Sequence, residues 1–531
     1  MILTVIRILL KGFMFLLYCL LSPFFKLPGL KKKQQCSLIN NPILLQSATD
    51  IARKIRKREI SCEEVIIAYI ERCKEVNPLI NAIVEDRFEM AIQEAREIDD
   101  FLKSTTMDEA TIISKKPLLG LPITVKGSIA VQGMSYTVGV KDTPSIATRD
   151  ADVVTKIRKA GGILLLVSNT PELCLWWDTF NKVTGITRNP YDTRRTAGGS
   201  SGGEGALLGA GASLLGLGSD IAGSVRIPAM FCGVFGHKPT PNWISIEGHK
   251  PSATDEYWPN YFAIGSMARY ATDLPLLLTV MSQSNDARIG FNKKVDMKKI
   301  NFFYMNNSGS NITNCVHNDI KNAIYKLIQH LEVTHNVEVH KTHLESMKMC
   351  FEISIAILLN NKGVYSMFNR LDDPKKSKSV FTEFLKYIFF MSSHSYPAIC
   401  YGIVSSLVQK LPRSSYNKMM EKRAQIKKQL EELLGDNGVL IFPTFHTSAF
   451  YHNEILYNLN NVTYMIVFNM LGLPVTQCPL GFDKNQLPIG VQIVANPGCD
   501  HLTIAVAQEI ERIFGGWRQP MENKESICKP I

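Results

Sequence analysis

An α/β fold follows from three features of the 531-residue chain. Apolar, strand-like runs such as Ile163-Leu164-Leu165-Leu166-Val167 alternate with segments of helical periodicity. The chain leads in with amphipathic helices over residues 48–102. Beyond residue 40 it has no Pro/Ser-rich linker and no internal repeat. Length alone admits about three domains. Large α/β proteins nevertheless run long as single units, so the only division drawn is between residues 1–33 and residues 34–531.

Residues 1–25 are apolar apart from Arg7 and Lys11. As a helix rising 1.5 Å per residue they reach about 37 Å, enough to cross a hydrocarbon core of ~30 Å. The small-residue cleavage pattern of a signal peptide is missing where Ser22-Pro23-Phe24-Phe25-Lys26 stands, so a retained transmembrane helix is preferred to a cleaved signal or an interfacial helix. Lys26, Lys31, Lys32 and Lys33 outnumber Arg7 and Lys11, which places the rest of the chain on the cytosolic side of a single-pass anchor. The twelve cysteines agree, being scattered without CxxC or framework spacing, as reduced thiols are. Three sequons, at Asn306, Asn311 and Asn461, point instead toward a lumen.

Farther on, Gly120-Leu121-Pro122-Ile123-Thr124-Val125-Lys126 runs an apolar strand into a lysine. Lysine is ordinarily a surface residue, but a seat at the end of LPITV argues for burial. Residues 196–240 then concentrate glycine and serine, with Ser200 in Gly198-Gly199-Ser200-Ser201-Gly202-Gly203 and Ser224 closing Asp220-Ile221-Ala222-Gly223-Ser224. A flexible linker would be polar, whereas residues 206–217 are apolar. A phosphate loop needs a lysine after its glycines, and none lies between Lys182 and Lys238. Two readings remain: an acyl-transfer site, whose exposed nucleophile and backbone N–H donors need glycine's freedom, or tight-packing glycines in an α/β core. The eleven histidines supply no Ser-His-Asp alternative, since no Gly-x-Ser-x-Gly surrounds Ser224. His237 and the other histidines are therefore read as structural or surface residues.

The polar stretch 306–318 and the Lys-rich run 372–379 read as surface loops. Residues 381–390 and 398–411 are two apolar stretches broken by 392–397, either a pair of core helices or amphipathic helices that dip into a membrane. The net charge of +11 is scattered, without a basic stripe interleaved with aromatics, which speaks against nucleic acid as a partner. No ligand cluster has zinc-like spacing, so no metal is expected, and the chemistry calls for no organic cofactor.

The blocks GGSSGGE from Gly198, Asp220-Ile221-Ala222-Gly223-Ser224-Val225-Arg226-Ile227-Pro228 and Gly236-His237-Lys238-Pro239-Thr240 resemble the signature of the amidase signature family. The resemblance continues through Arg188-Asn189-Pro190-Tyr191-Asp192 upstream, and through Leu471-Gly472-Leu473-Pro474-Val475 and Leu487-Pro488-Ile489-Gly490-Val491-Gln492 near the end. It implies a large mixed twisted β-sheet surrounded by α-helices, with residues 34–531 as a single catalytic domain. It also implies roles. Ser224 is the nucleophile, Ser200 is the bridging serine on a cis peptide bond, and Lys126 is the base. The backbone N–H groups of Ile221, Ala222, Gly223 and Ser224 form the oxyanion hole. Chemically, burial makes a lysine a base by disfavouring its charged form, and a serine-lysine relay is one variant of the general triad logic.

Within the family, residues 84–91 (VEDRFEMA), 174–177 and 236–241 look most like the fatty-acid amide hydrolases. That likeness implies a membrane-anchored hydrolase of fatty-acid amides, and also of esters, in which residues 381–411 cap an acyl channel. The implied partners are a lipid amide substrate and a membrane, with a homodimer as a further candidate. A glutamine-hydrolysing amidotransferase-like amidase and a catalytically silent lipid-binding protein are the alternatives. Three departures stand out: Ala222 replaces a glycine of the oxyanion turn, Gly127 follows the lysine where an acidic residue is common, and Ser266 stands where proline is usual.

Overall fold

The computed structural model describes residues 2–141, 145–253, 255–310, 312–360, 379–410 and 412–521. Asn311 and the Lys-rich run at 372–378 lie outside them.

Among the described residues eleven strands form one mixed sheet. In chain order these are β1 (Ile83–Asp86), β2 (Pro122–Lys126), β3 (Ile163–Ser168), β4 (Leu215–Asp220), β5 (Phe235–Lys238), β6 (Ala263–Ala268), β7 (Asn301–Tyr304), β8 (Val339–Lys341), β9 (Gly438–Pro443), β10 (Val475–Phe482) and β11 (Pro488–Val494). Their order across the sheet is β1-β3-β2-β4-β6-β5-β10-β11-β9-β7-β8. The β3-β2-β4 and β9-β7-β8 neighbours are parallel, and the remaining pairs are antiparallel.

Sequence explains this layout. Strands β2, β3, β4, β6, β9 and β11 are buried along their whole length, and β3, β9 and β11 accordingly read as near-continuous apolar runs rather than alternating ones. The two edges end instead in exposed polar residues, Glu85 and Asp86 on β1 and His340 and Lys341 on β8, which discourages edge-to-edge pairing. Helices Ala48–Arg56, Cys62–Ile80 and Phe88–Ser104 fill the expected amphipathic region, and β1 lies between the last two. The closing strands β10 and β11 are followed by helix Asp500–Phe514. One connected apolar core runs from Cys36 to Trp517.

The glycines of the signature are packing residues as well. Helix Gly202–Gly209 is buried on every side. A Cβ at Gly203 would come within 2.5 Å of the Asn169 nitrogen, and one at Gly205 within 2.9 Å of Pro228 Cβ. Only glycine lets this helix lie against its neighbours.

The N-terminal segment corrects an expectation. It is a helix, Ile2–Lys26, with Pro23 inside it. Among the described residues, however, no helix is long and apolar enough to cross a membrane. The last part of the helix packs on the body of the protein instead. Tyr18 meets Tyr457 edge to face at 5.1 Å, Phe25 stacks on the same ring at 6.3 Å, and Ser22 is buried. Arg194 then clamps the following turn by donating to the carbonyls of Gly29 and Lys31, each at 2.9 Å. Phe13, Phe15, Leu16, Leu20 and Phe24 remain exposed.

The two apolar stretches after residue 380 are helices, Val380–Ile388 and Tyr396–Val408. In the first the usual arrangement is inverted. Glu383 is 2% exposed, whereas Phe381 is 68% and Ile388 49% exposed. The turn behind it leaves Phe389, Phe390 and Met391 in solvent, and the second helix exposes Val404 and Leu407. An ordinary core helix buries such residues, so these are surface helices with an apolar outer face. The described cysteines are free thiols. Asn461 is fully buried, so its sequon is closed to a glycan in this fold.

Candidate active site

Two central strands, with the loop and the turn that follow them, assemble the candidate site. Lys126 is the last residue of β2, and Ser219 and Asp220 end β4, which lies beside it in parallel register. The loop that carries Ser200 enters helix Gly202–Gly209, and the turn at 221–224 leads from β4 into helix Arg226–Phe231. Lys126 is fully buried, and its Nζ lies 2.7 Å from Ser200 Oγ and 2.9 Å from Ser219 Oγ. The Gly199–Ser200 peptide bond is cis.

Burial sets the charges here. It drives the Lys126 amine below the ordinary lysine range, against the pull of Asp220 and Glu204. Glu204, also fully buried, is pushed up to about 7 in spite of the hydrogen bond it accepts from Thr124. Two groups that would carry opposite charges in water are thus both moved toward neutrality. A neutral amine has a lone pair and can accept a proton, which an ammonium cannot.

Ser224 faces the same narrow cavity as Ser200, and among the described residues no hydrogen bond joins their hydroxyls. Catalytic hydrogen bonds are commonly long until substrate arrives. Leu173, Leu175, Ile221, Trp258, Phe262 and Tyr401 supply apolar wall, and the free volume is about 20 Å³, enough for one water.

The turn before Ser224 is held by Asp220. Its carboxylate accepts from Gly223 N at 2.7 Å, from Val225 N at 3.1 Å, and from Arg226 through Nη2 and Nε, both at 3.0 Å. Burial by itself would raise the Asp220 carboxyl, but the Arg226 charge and these bonds hold it well below the usual carboxylate range. One of the four expected oxyanion donors is therefore already engaged, because the carboxylate that shapes the turn takes the Gly223 N–H. Among the described residues no acceptor faces the N–H groups of Ile221, Ala222 or Ser224. Gly223 has a φ of 96°, and Ala222 is absent from the positive-φ residues, so the alanine sits in this turn without strain. At Gly127 a Cβ would come within 2.8 Å of the Ser168 carbonyl oxygen, which explains why no acidic side chain follows the lysine.

The Asp220–Arg226 pair is fully buried on both sides. Arg226→Ala leaves Asp220 without its countercharge and is expected to lower stability by about 3–5 kcal/mol. Urea denaturation of the variant measures the loss.

His249 is buried in the cluster, with Nε2 2.9 Å from Ser219 Oγ. Nothing in spacing marks it, since it reaches the site where the chain returns past the end of β2 and forms the Ile129–His249 bridge. Ser219 stands directly before the Asp220 block, and its place in the chain was the one available signal. His237, by contrast, is structural as expected, bonded to Thr476 and Asp500. A second unforeseen residue is Glu172. Its carboxylate accepts from His394 Nδ1 at 2.6 Å and from Ser395 N and Oγ at 2.7 Å, which ties the start of helix Tyr396–Val408 to the loop bearing Leu173 and Leu175.

A mixed sheet that brings a buried amine onto one serine and leaves a second serine facing the cavity has the architecture of an amide hydrolase. The chain belongs to the amidase family, whose model, described as Amidase, matches residues 64–504. It is 40% identical over 488 residues, 91% of each chain, to fatty-acid amide hydrolase 2-A of Danio rerio. To fatty-acid amide hydrolase 2 of Homo sapiens it is 39% identical over 488 residues, again 91% of each chain. A solved structure of fatty acid amide hydrolase superposes with a TM-score of 0.71 over 90% of this chain and 87% of that one; at 20% identity this likeness concerns the fold alone.

Proposed function

We propose that this enzyme hydrolyses long-chain fatty-acid amides to fatty acid and amine at a membrane surface, through Ser224, Ser200 and Lys126 in a single catalytic domain of residues 34–531. The observation that carries the proposal is the fully buried Lys126 with its Nζ 2.7 Å from Ser200 Oγ. Neutral Lys126 takes the Ser200 proton as Ser200 takes that of Ser224, and Ser224 Oγ bonds to the amide carbon. The N–H groups of Ile221, Ala222 and Ser224 receive the oxyanion. Ser200 returns a proton to the leaving amine, the C–N bond breaks, and an acyl-Ser224 ester remains. Water, activated by the reverse route, then releases the acid.

The lipid part of the reading is supported by the names of the relatives at 40% and 39% identity and by the apolar cavity wall. The outward-facing apolar residues of Val380–Ile388 and of the N-terminal helix support the membrane part. The free thiols are in keeping with a catalytic domain on the cytosolic side. Fluorophosphonate labelling followed by a panel of amides of increasing acyl length tests the reading, which requires kcat/KM to rise with chain length. A preference for glutamine would overturn it.

Deletion of residues 1–33 removes the exposed apolar helix and leaves every proposed catalytic group in place. A short water-soluble amide is expected to be cleaved at close to the full rate, and long-chain amides in vesicles severalfold more slowly. Part of the membrane binding should persist, because residues 380–408 remain. Equal loss on both substrates would show that the helix serves only the fold.

A further inference from the structure

The direction of the hydrogen bond between Ser219 and Lys126 can be worked out from His249. Its Nδ1 lies 3.0 Å from the Pro251 carbonyl oxygen and its Nε2 lies 2.9 Å from Ser219 Oγ. A carbonyl only accepts, so Nδ1 carries the ring hydrogen, and in the neutral ring Nε2 is then a bare acceptor. Burial pushes His249 down to about 3, so the ring is neutral near pH 7. The ring is also held in place, since it is 5% exposed and packs on Phe262 at 4.6 Å between centroids.

With Nε2 accepting, the Ser219 hydroxyl hydrogen points at His249. The Ser219 oxygen therefore meets Lys126 Nζ, 2.9 Å away, only as an acceptor. A neutral amine has two hydrogens and one lone pair. One hydrogen goes to Ser219, and the lone pair has no donor from that side.

We infer that His249 is a positioning residue that keeps the Ser219 hydroxyl turned away from Lys126 and so leaves the lysine lone pair to the Ser200 hydroxyl. This rests on the reading of Lys126 as the base. It assigns a role to a histidine that shares a cavity with Ser200 and Ser224 and, among the described residues, hydrogen-bonds to neither.

The test uses the full chain, a short soluble amide and four variants. His249→Phe keeps a ring against Phe262 but accepts nothing, so the Ser219 hydrogen turns to the Lys126 lone pair and competes with Ser200; kcat is expected to fall about tenfold with KM unchanged. His249→Gln offers a carbonyl to Ser219 and an amide N–H to Pro251, and is expected to stay within about threefold of the parent. Ser219→Ala in the His249→Phe background removes the competing hydroxyl and is expected to recover most of the lost rate. A histidine needed only for packing predicts the opposite, with Gln no better than Phe and the double variant no faster than the single one. Either result, or a parental kcat in His249→Phe, overturns the inference. If His249→Phe does not fold, the tautomer decides, read from histidine-15N-labelled protein with His249→Gln as the assignment reference. A hydrogen on Nδ1 is expected, and one on Nε2 overturns the inference. Lys126→Ala is the fourth variant: a parental rate there means that the lysine reading itself has failed, whereas its loss beside structural behaviour at His249 removes only the inference.

Discussion

Ser224→Ala is expected to lower turnover on the order of 10⁶-fold, the scale on which loss of the nucleophile acts in serine hydrolases, and to abolish fluorophosphonate labelling. The fold should survive. Ser224 Oγ has no hydrogen-bond partner among the described residues, and alanine fits wherever serine did. The turn keeps its shape through Asp220, whose bonds reach Gly223, Val225 and Arg226 and do not use the Ser224 hydroxyl. Unchanged thermal unfolding together with complete loss of labelling is the expected pair of results. Covalent labelling of the variant would move the nucleophile elsewhere, with Ser200 the first residue to test.

Lys126→Ala is expected to lower kcat by about 10²- to 10⁴-fold, the range in which a positioned general base acts. Ser200→Ala should cost less, since the amine that drives the relay is still present and a water can stand in for the bridging hydroxyl. The pH dependence separates the lysine from a merely structural cation. Burial lowers its pKa, so the neutral, proton-accepting fraction grows as pH rises and saturates below the ordinary lysine range. The parent should therefore gain activity with pH and then level off, and Lys126→Ala should lose that limb. A flat parental profile, measured where chemistry is rate-limiting, would exclude lysine as the titrating group.

Much of this was legible in the chain. The fully buried strands β3, β9 and β11 are apolar because both faces are covered, and such runs are visible without coordinates. Lys126 was placed correctly at a strand end because a charged residue closing LPITV has few other uses. The amidase signature was equally plain, because glycines at fixed intervals are needed where a helix lies as close to its neighbours as Gly202–Gly209 does. In that segment the tight-packing reading holds, and the same segment sets Ser200 Oγ 2.7 Å from Lys126 Nζ.

Contacts between distant segments were not legible. The N-terminal residues predicted a spanning helix from hydropathy alone, and hydropathy cannot show that Tyr18 and Phe25 would find Tyr457, over four hundred residues away. Whether Val380–Ile388 was core or surface depended on which face meets the body, and the buried Glu383 decides it. His249 looked like any other histidine until the return of the chain past β2 set it beside Ser219. By itself the sequence determined the strands, the packing glycines and the chemistry-bearing types, because these follow from local pattern and volume. Only the tertiary structure decided which N–H of the 221–224 turn is already taken, which histidine lies beside Ser219 and which apolar residues stay in solvent, because each depends on groups brought together from far apart in the chain.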